Sequence, residues 1–174
     1  MPLYLMRHGE TAWNVEGRMQ GRRDSPLTPR GEAQARALGG ILVAHGLSGL
    51  PCLASPAGRA TRTAALAGLA ATVLEDLSEI GMGRWEGRLR SDLTASDGVR
   101  WKLDAPGGEG RAFAGRVARL AVALPRPALV VTHGMVLIGL RAALRGQGPE
   151  AWDGLDDPQG VVFRADEGGE AVLR

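Results

Sequence analysis

Ala128-Leu129-Val130-Val131-Thr132-His133-Gly134 is the stretch on which the fold turns. Four apolar residues run without interruption and stop at a His-Gly pair, after which apolar residues continue at helical spacing to about Leu144. An unbroken apolar run of this length is a strand buried on both faces, the kind found in parallel sheets covered by helices. The start of the chain repeats the pattern, with Leu3-Tyr4-Leu5-Met6 ended by Arg7-His8-Gly9-Glu10. In open α/β sheets, ligands sit just beyond the carboxyl ends of strands, so the two imidazoles are expected to meet at one crevice despite their distance in sequence.

Working outward, Thr28-Pro29 offers a cap and a first helical position. Ala33, Ala37, Leu38, Ile41 and Leu42 then recur at helical spacing to about His45. Pro51-Cys52-Leu53-Ala54 is a second short strand, followed by a helix from about Gly58 to Ala71 and a strand over Thr72 to Leu74. Phe113, Val117, Leu120 and Leu124 mark another amphipathic helix. Val161-Val162-Phe163 and Ala171-Val172-Leu173 flank a Gly-rich turn and predict paired strands. Residues 14–27 read as a long loop, and 76–106 as a loop with short helical pieces. The alternation predicts a three-layer α/β/α sandwich around a mainly parallel sheet, organised as a single domain over residues 1–174.

Composition narrows the class. The chain has 174 residues, 44% hydrophobic and 23% charged, which is globular rather than disordered. Cys52 is the one cysteine, so no internal disulfide framework or multi-cysteine metal site is available. The three histidines, His8, His45 and His133, lack the short spacing of metal ligands. No apolar stretch reaches the ~18 residues of a membrane span, and no basic n-region precedes a long apolar segment, so a cytoplasmic protein without a membrane partner is expected. Net charge is +2, unevenly spread. Residues 150–174 carry a net −5 and the preceding 149 carry +7, a field that steers small anions. The cations are arginines with one exception, Lys102. No basic arm with interleaved aromatics is present, so nucleic acid is not the expected partner.

Arg7 adjoins the first crevice histidine, and Arg59 opens the helix after the second strand. Two arginines, two histidines and helix N-termini at the strand ends suit a dianion, most simply a phosphoryl group.

Arg7-His8-Gly9-Glu10-Thr11-Ala12-Trp13-Asn14 resembles the signature of the histidine phosphatase superfamily, which includes the phosphoglycerate mutases. The resemblance continues in order through Gly17-Arg18-Met19-Gln20-Gly21, Pro26-Leu27-Thr28 with Gly31 and Gln34-Ala35, and Ser55-Pro56 with Arg59-Ala60 and Thr63-Ala64. Glu79-Ile80 with Gly83-Arg84-Trp85-Glu86-Gly87, Pro106-Gly107-Gly108-Glu109, and Val131-Thr132-His133-Gly134 complete it. It implies a phosphoglycerate mutase-like fold, with His8 as the nucleophile that becomes phosphohistidine and Arg7, Arg59 and His133 cradling the phosphoryl oxygens. Glu79 falls where the phosphatase branch keeps its proton donor, in preference to the nearby Glu86. Asn14, Gln20, Gly21 and the Gly134 amide match positions near the phosphate and substrate. No metal or cofactor is implied. Arg62 is expected at the surface, and Glu109 in a structural role such as capping the next helix.

The Gly17–Gly21 and Glu79–Gly87 blocks resemble the phosphatase branch, including α-ribazole phosphatase-like and broad-specificity enzymes. The implied activity is hydrolysis of a small-molecule phosphate ester. Phosphoglycerate mutase activity is the alternative, and a non-catalytic phospholigand-binding module a more distant one. Met82, Arg84, Trp85, Arg88, Arg90 and Trp101 are candidates to sense the leaving group. The sequence is compatible with a homodimer and leaves the oligomeric state open.

Overall fold

A computed structural model describes residues 1–93 and 96–174. Its sheet has six strands, β1 (Leu3–Arg7), β2 (Cys52–Ala54), β3 (Ala71–Val73), β4 (Ala128–Thr132), β5 (Val162–Asp166) and β6 (Gly169–Leu173). They lie in the order β3-β2-β4-β1-β5-β6, with the first four parallel and the last two added antiparallel. The expected tail pairing is a hairpin turning at Glu167-Gly168.

Helices α2 (Pro29–Ala44) and α3 (Gly58–Leu66) cover one face; α4 (Ala112–Ala123) and α5 (Gly134–Leu144) cover the other. Alternation along each strand divides the core accordingly. Leu5, Val130 and Phe163 pack with Phe113, Val117 and Leu137, whereas Met6, Val131 and Val162 pack with Leu38, Leu42 and Ala64. The mainly parallel three-layer α/β/α architecture read from the sequence is the one observed. No helix of the described residues is long and apolar enough to cross a membrane.

Element ends follow local chemistry. The Thr28 hydroxyl accepts from the Gly31 amide (3.0 Å) with Pro29 at the first helical position, so α2 starts where the sequence predicts. Helix α3 is shorter than the stretch to Ala71 anticipated for it: Gly68 takes φ +75° and stops the helix, freeing Ala71 to begin β3 one residue early. The first two residues of the 14–27 loop belong instead to a one-turn helix, α1 (Ala12–Val15), opened by a reciprocal Thr11–Asn14 capping box. The described residues of segment 76–106, which leave out 94 and 95, form a loop with short 3₁₀ turns, as expected.

Topology creates the crevice. The chain leaves β1 for α2 on one face and leaves its neighbour β4 for α5 on the other, so the two exits diverge and open a gap at the strand ends. Register aligns the gap, because Arg7 pairs with Thr132 and the His8 amide donates to the Thr132 carbonyl at 2.9 Å. The residues that follow each strand, His8 and His133, therefore emerge side by side.

Candidate active site

His8 and His133 are both buried, with ring centroids 5.2 Å apart in an edge-on arrangement. The His8 ring is held at both nitrogens. Nδ1 lies 2.8 Å from the Gly9 carbonyl, which can only accept, and Arg59 Nε donates to Nε2 at 3.3 Å. These two bonds assign the proton to Nδ1 and leave Nε2 with its lone pair toward the arginine. The Gly9 loop is held by its amide, which donates to Thr63 Oγ1 (3.0 Å) on α3. Gly9 itself must be glycine, since a Cβ there would strike the Gly31 carbonyl.

Arg59 is buried at the start of α3 and uses four of its five N–H donors within the protein. Besides His8 it donates to the carbonyls of Arg23 (2.7 Å) and Gly21 (2.9 Å) and to Asp24 Oδ1 (2.8 Å). Arg7 Nη1 donates to the Asp157 backbone carbonyl (2.8 Å) and pairs with its carboxylate (2.9 Å). His133 meets Ser55 Oγ through Nε2 at 2.7 Å. Among the described residues, Arg7 Nε and His133 Nδ1 are buried without a protein partner. Orphaned buried polar atoms are costly, and two in one cluster point to a ligand that satisfies them.

Electrostatics favours neutral imidazoles. Burial first, and then the Arg7 and Arg59 guanidiniums, hold His8 well below the ordinary imidazole range; the Gly9 hydrogen bond opposes them. His133 is lowered by burial, then by Arg59, His8 and Arg7. A neutral ring with an unprotonated Nε2 among fixed cations has the chemistry of a nucleophile set beside groups that can receive an oxyanion.

Glu79 enters the same cleft. Its Oε1 accepts from the Ile80 amide (3.0 Å) and its Oε2 from the Met135 amide (3.1 Å) in the first turn of α5. Each oxygen keeps a second lone pair for a proton. Two buried contacts steady the segment that carries it. Thr132 Oγ1 donates to the Leu77 carbonyl (2.8 Å), and Arg116 donates to the carbonyls of Ser78 (2.8 Å) and Glu79 (3.4 Å).

The supporting positions are in place to different degrees. Asn14 lines the cleft; its Oδ1 accepts from the Thr11 amide and from Gln159 Nε2, both at 3.1 Å, which leaves its NH₂ available. Gln20 also lines it, with its amide braced by Thr11 and Ser25. Gly21 sits at φ +55° where a Cβ would strike the Glu86 carboxylate. Gly134 opens α5 beside Arg7 and the Asp157 carboxylate. Glu86 instead accepts from the Arg22 and Met82 amides and does not line the cleft. Arg62 is exposed and paired with Glu32. Glu109 is structural but caps nothing: it grips Arg116 and accepts from the Gly81 amide, and α4 has no side-chain cap.

Of the leaving-group candidates, Met82 and Arg90 line the cleft, whereas Arg84, Trp85, Arg88 and Trp101 do not. Trp85 and Trp101 pack on one another at 5.4 Å, and Arg90 lies over Trp101. Trp13, Arg18 and Lys102 line the cleft without having been singled out for it from the sequence. Asp24 and Asp157 behind the arginines were also missed; the acidic bias of the tail was the one available signal for Asp157. Among the described residues no three His, Cys, Asp or Glu side chains gather to hold a metal ion.

Known proteins resemble this chain in sequence and fold. A Salmonella paratyphi C protein named probable phosphoglycerate mutase GpmB is 38% identical over 164 residues, 84% of this chain and 75% of that one. The structure of a phosphoglycerate mutase from Thermus thermophilus superposes with a TM-score of 0.80 at 39% identity, covering 99% of this chain and 98% of that one. An Escherichia coli K-12 protein named as a candidate alpha-ribazole-5′-P phosphatase superposes at 0.80 with 34% identity, covering 100% and 94%. The profile of the histidine phosphatase superfamily (branch 1) matches residues 3–173, and with it nearly every element that builds the crevice. The chain belongs to the histidine phosphatase superfamily, branch 1.

Proposed function

We propose that the chain is a phosphomonoester hydrolase that works through a phosphohistidine at His8 on a small phosphorylated metabolite. The observation that carries this reading is the state of one ring: His8 Nδ1 donates to a carbonyl at 2.8 Å, so Nε2 faces the arginines unprotonated. In the first step Nε2 attacks phosphorus in line and the ester P–O bond breaks. Charge on the equatorial oxygens is met by Arg7, Arg59 and His133, so positioning and positive charge do most of the catalysis. Glu79 gives its proton to the departing alkoxide. In the second step Glu79 takes a proton from water, the hydroxide attacks phosphorus, the N–P bond breaks, and inorganic phosphate leaves with His8 restored. General acid–base help of this kind contributes on the order of 10²–10⁴.

A second reading shares the first step and passes the phosphoryl group to a hydroxyl of a phosphoglycerate. The names of the Salmonella and Thermus relatives favour it. Against it stands the shortness of the segments over the cleft, three 3₁₀ turns at Gly83–Trp85, Arg90–Asp92 and Arg100–Asp104, which offer little to exclude water from a waiting phosphoenzyme. The test is single-turnover labelling with a phosphate ester. An acid-labile, base-stable phosphoenzyme that is absent in His8→Ala, with phosphate release that chelators do not slow, is the expected result. Turnover persisting in His8→Ala refutes the mechanism, and bisphosphoglycerate-dependent isomerisation far faster than hydrolysis establishes the second reading.

A further inference from the structure

His8 and His133 follow neighbouring strands but are held by opposite means. His8 Nδ1 donates to the Gly9 carbonyl at 2.8 Å, and its Nε2 is left unprotonated. His133 has no such acceptor, because Gly134 opens α5 and commits its carbonyl to the helix ladder. Contact is made at the other nitrogen, where Ser55 Oγ lies 2.7 Å from Nε2. His133 Nδ1 is buried without a protein partner. Both residues are fully enclosed, so bulk water does not compete for the bond between them.

The sheet places Ser55. It directly follows β2, and its amide donates to the Val131 carbonyl at 3.0 Å, which carries the β2–β4 ladder one residue further toward His133. Its hydroxyl oxygen accepts from the Ala57 amide (3.3 Å) within the turn that leads into α3. Burial first, then Arg59, His8 and Arg7, keep the His133 ring neutral, so it has a single proton to place. A serine hydroxyl holds one proton and two lone pairs, and an amide N–H can only donate to it. Among the described residues, His133 Nε2 is the other polar atom in reach of this hydroxyl. If Oγ donates to Nε2, the hydroxyl proton is used and the ring proton sits on Nδ1. In the reverse arrangement the hydroxyl proton has no acceptor among the described residues, and an unmet buried donor is costly.

From this count we infer that Ser55 is a positioning residue for His133, whose hydroxyl fixes the ring with its proton on Nδ1 as a hydrogen-bond donor to the phosphoryl oxygens. The two histidines are then the same tautomer used from opposite ends. His8, tethered at Nδ1 by an acceptor, offers the lone pair of Nε2; His133, tethered at Nε2 by a donor, offers the N–H of Nδ1. The inference rests on reading His133 as part of the phosphoryl cradle, and it holds for a hydrolase and a mutase alike, since both develop charge on the same oxygens. A donor fixed in advance needs no reorganisation as that charge develops, whereas a ring free to change tautomer presents a lone pair part of the time.

Nitrogen NMR of the histidine rings in the whole chain reads the tautomer without turnover, with the His133 signals identified by their loss in His133→Gln. The wild-type ring is expected to be protonated on Nδ1 and bare on Nε2. Ser55→Ala should release it to a mixture of the two tautomers, and Ser55→Thr, which keeps the hydroxyl, should hold the wild-type state. In steady-state assays Ser55→Ala should lower kcat/KM by about 10² and weaken inhibition by vanadate, a mimic of five-coordinate phosphorus, by a similar factor, while Ser55→Thr retains most of both. A wild-type ring protonated on Nε2 overturns the inference whether or not the variants fold. So does a Ser55→Ala ring that stays protonated on Nδ1, or one that changes tautomer with kcat/KM undiminished. Failure of the phosphoryl-site reading looks different: the wild type then neither turns over phosphate esters nor binds vanadate, whichever tautomer it holds, and the inference falls with it.

Discussion

Replacing Glu79 with Gln separates a proton donor from a mere tether. The carboxylate accepts two backbone N–H bonds, from Ile80 at 3.0 Å and from Met135 at 3.1 Å. A glutamine amide satisfies one of them with its oxygen and must turn its NH₂ toward the other, donor against donor. Leaving one such group unmet costs about 1–3 kcal/mol. For a domain of this size each kcal/mol lowers Tm by roughly 2–4 °C, so Glu79→Gln should melt several degrees early yet remain folded at 25 °C. The chemical loss is larger and depends on the leaving group. An alkyl phosphate needs its departing oxygen protonated, so kcat/KM should fall by about 10²–10⁴. A nitrophenyl phosphate leaves as a stable anion, so its kcat/KM should fall by less than about tenfold, the remainder expected of a disturbed tether. Its steady-state kcat should still drop, because water must be deprotonated in the second step, and a burst of nitrophenolate should appear as phosphoenzyme accumulates. Steady-state and stopped-flow assays with both esters on wild type and variant give the comparison. Equal losses of kcat/KM on the two esters, with no burst, would show that Glu79 only fastens its loop to α5.

The neutral state of His8 has a pH signature: burial and the arginines lower its pKa from 6.5, so the acidic limb of kcat/KM should lie below pH 6.5, and an NMR titration placing the ring at or above 6.5 would contradict this. Because the folded rings of His8 and His133 bind protons more weakly than unfolded ones, their contribution to stability is complete above about pH 6.5 and declines as the pH falls below it, which unfolding midpoints across that range will reveal. Arg59→Lys keeps the charge but cannot reproduce bonds to His8, Gly21, Arg23 and Asp24, so kcat/KM should drop by at least about 10²; a loss under tenfold would mean that charge alone suffices. Gly31→Ala drives a Cβ into the Glu10 backbone where the loop after β1 meets α2, which should cost about 1–3 kcal/mol in chemical denaturation; an unchanged midpoint would disprove that close approach.

Much of this was legible in the sequence because the strongest signals were also the most local. The apolar runs before His8 and His133 require buried strands of a parallel sheet, and in such sheets the residues just beyond the strands' carboxyl ends share one crevice. The meeting of the two histidines followed from that alone. Thr28-Pro29 likewise announces α2 through chemistry contained in three residues. What escaped was set by contacts across the fold. Asp24 and Asp157 lie 35 and 150 residues from the arginines they hold, and no spacing rule connects them. Segment 81–106 has no periodicity, so nothing in it distinguished Lys102, which enters the cleft, from Trp101 beside it, which turns into the core. Helix α3 was overextended because its apolar pattern continues past Gly68, where the backbone turns left-handed.

The order of the causes acting on His8 bears on how such a site can work at all. Arg7 and Arg59 help keep the ring neutral while the site is empty, but a bound dianion offsets those two charges and relaxes their effect. Were charge the leading cause, substrate would raise the affinity of Nε2 for a proton and disarm the nucleophile at the moment of use. Burial leads instead, and it persists when the ligand is bound because the ring lies at 3% exposure beneath the loops that end β1 and β4. Asp157 and Asp24 behind the guanidiniums complete the arrangement. They hold each guanidinium in place and temper the repulsion between neighbouring cations, while Arg7 Nε and His133 Nδ1 stay buried without a protein partner. On the proposed mechanism, polarity in the cradle serves orientation, and burial more than charge keeps the His8 ring neutral.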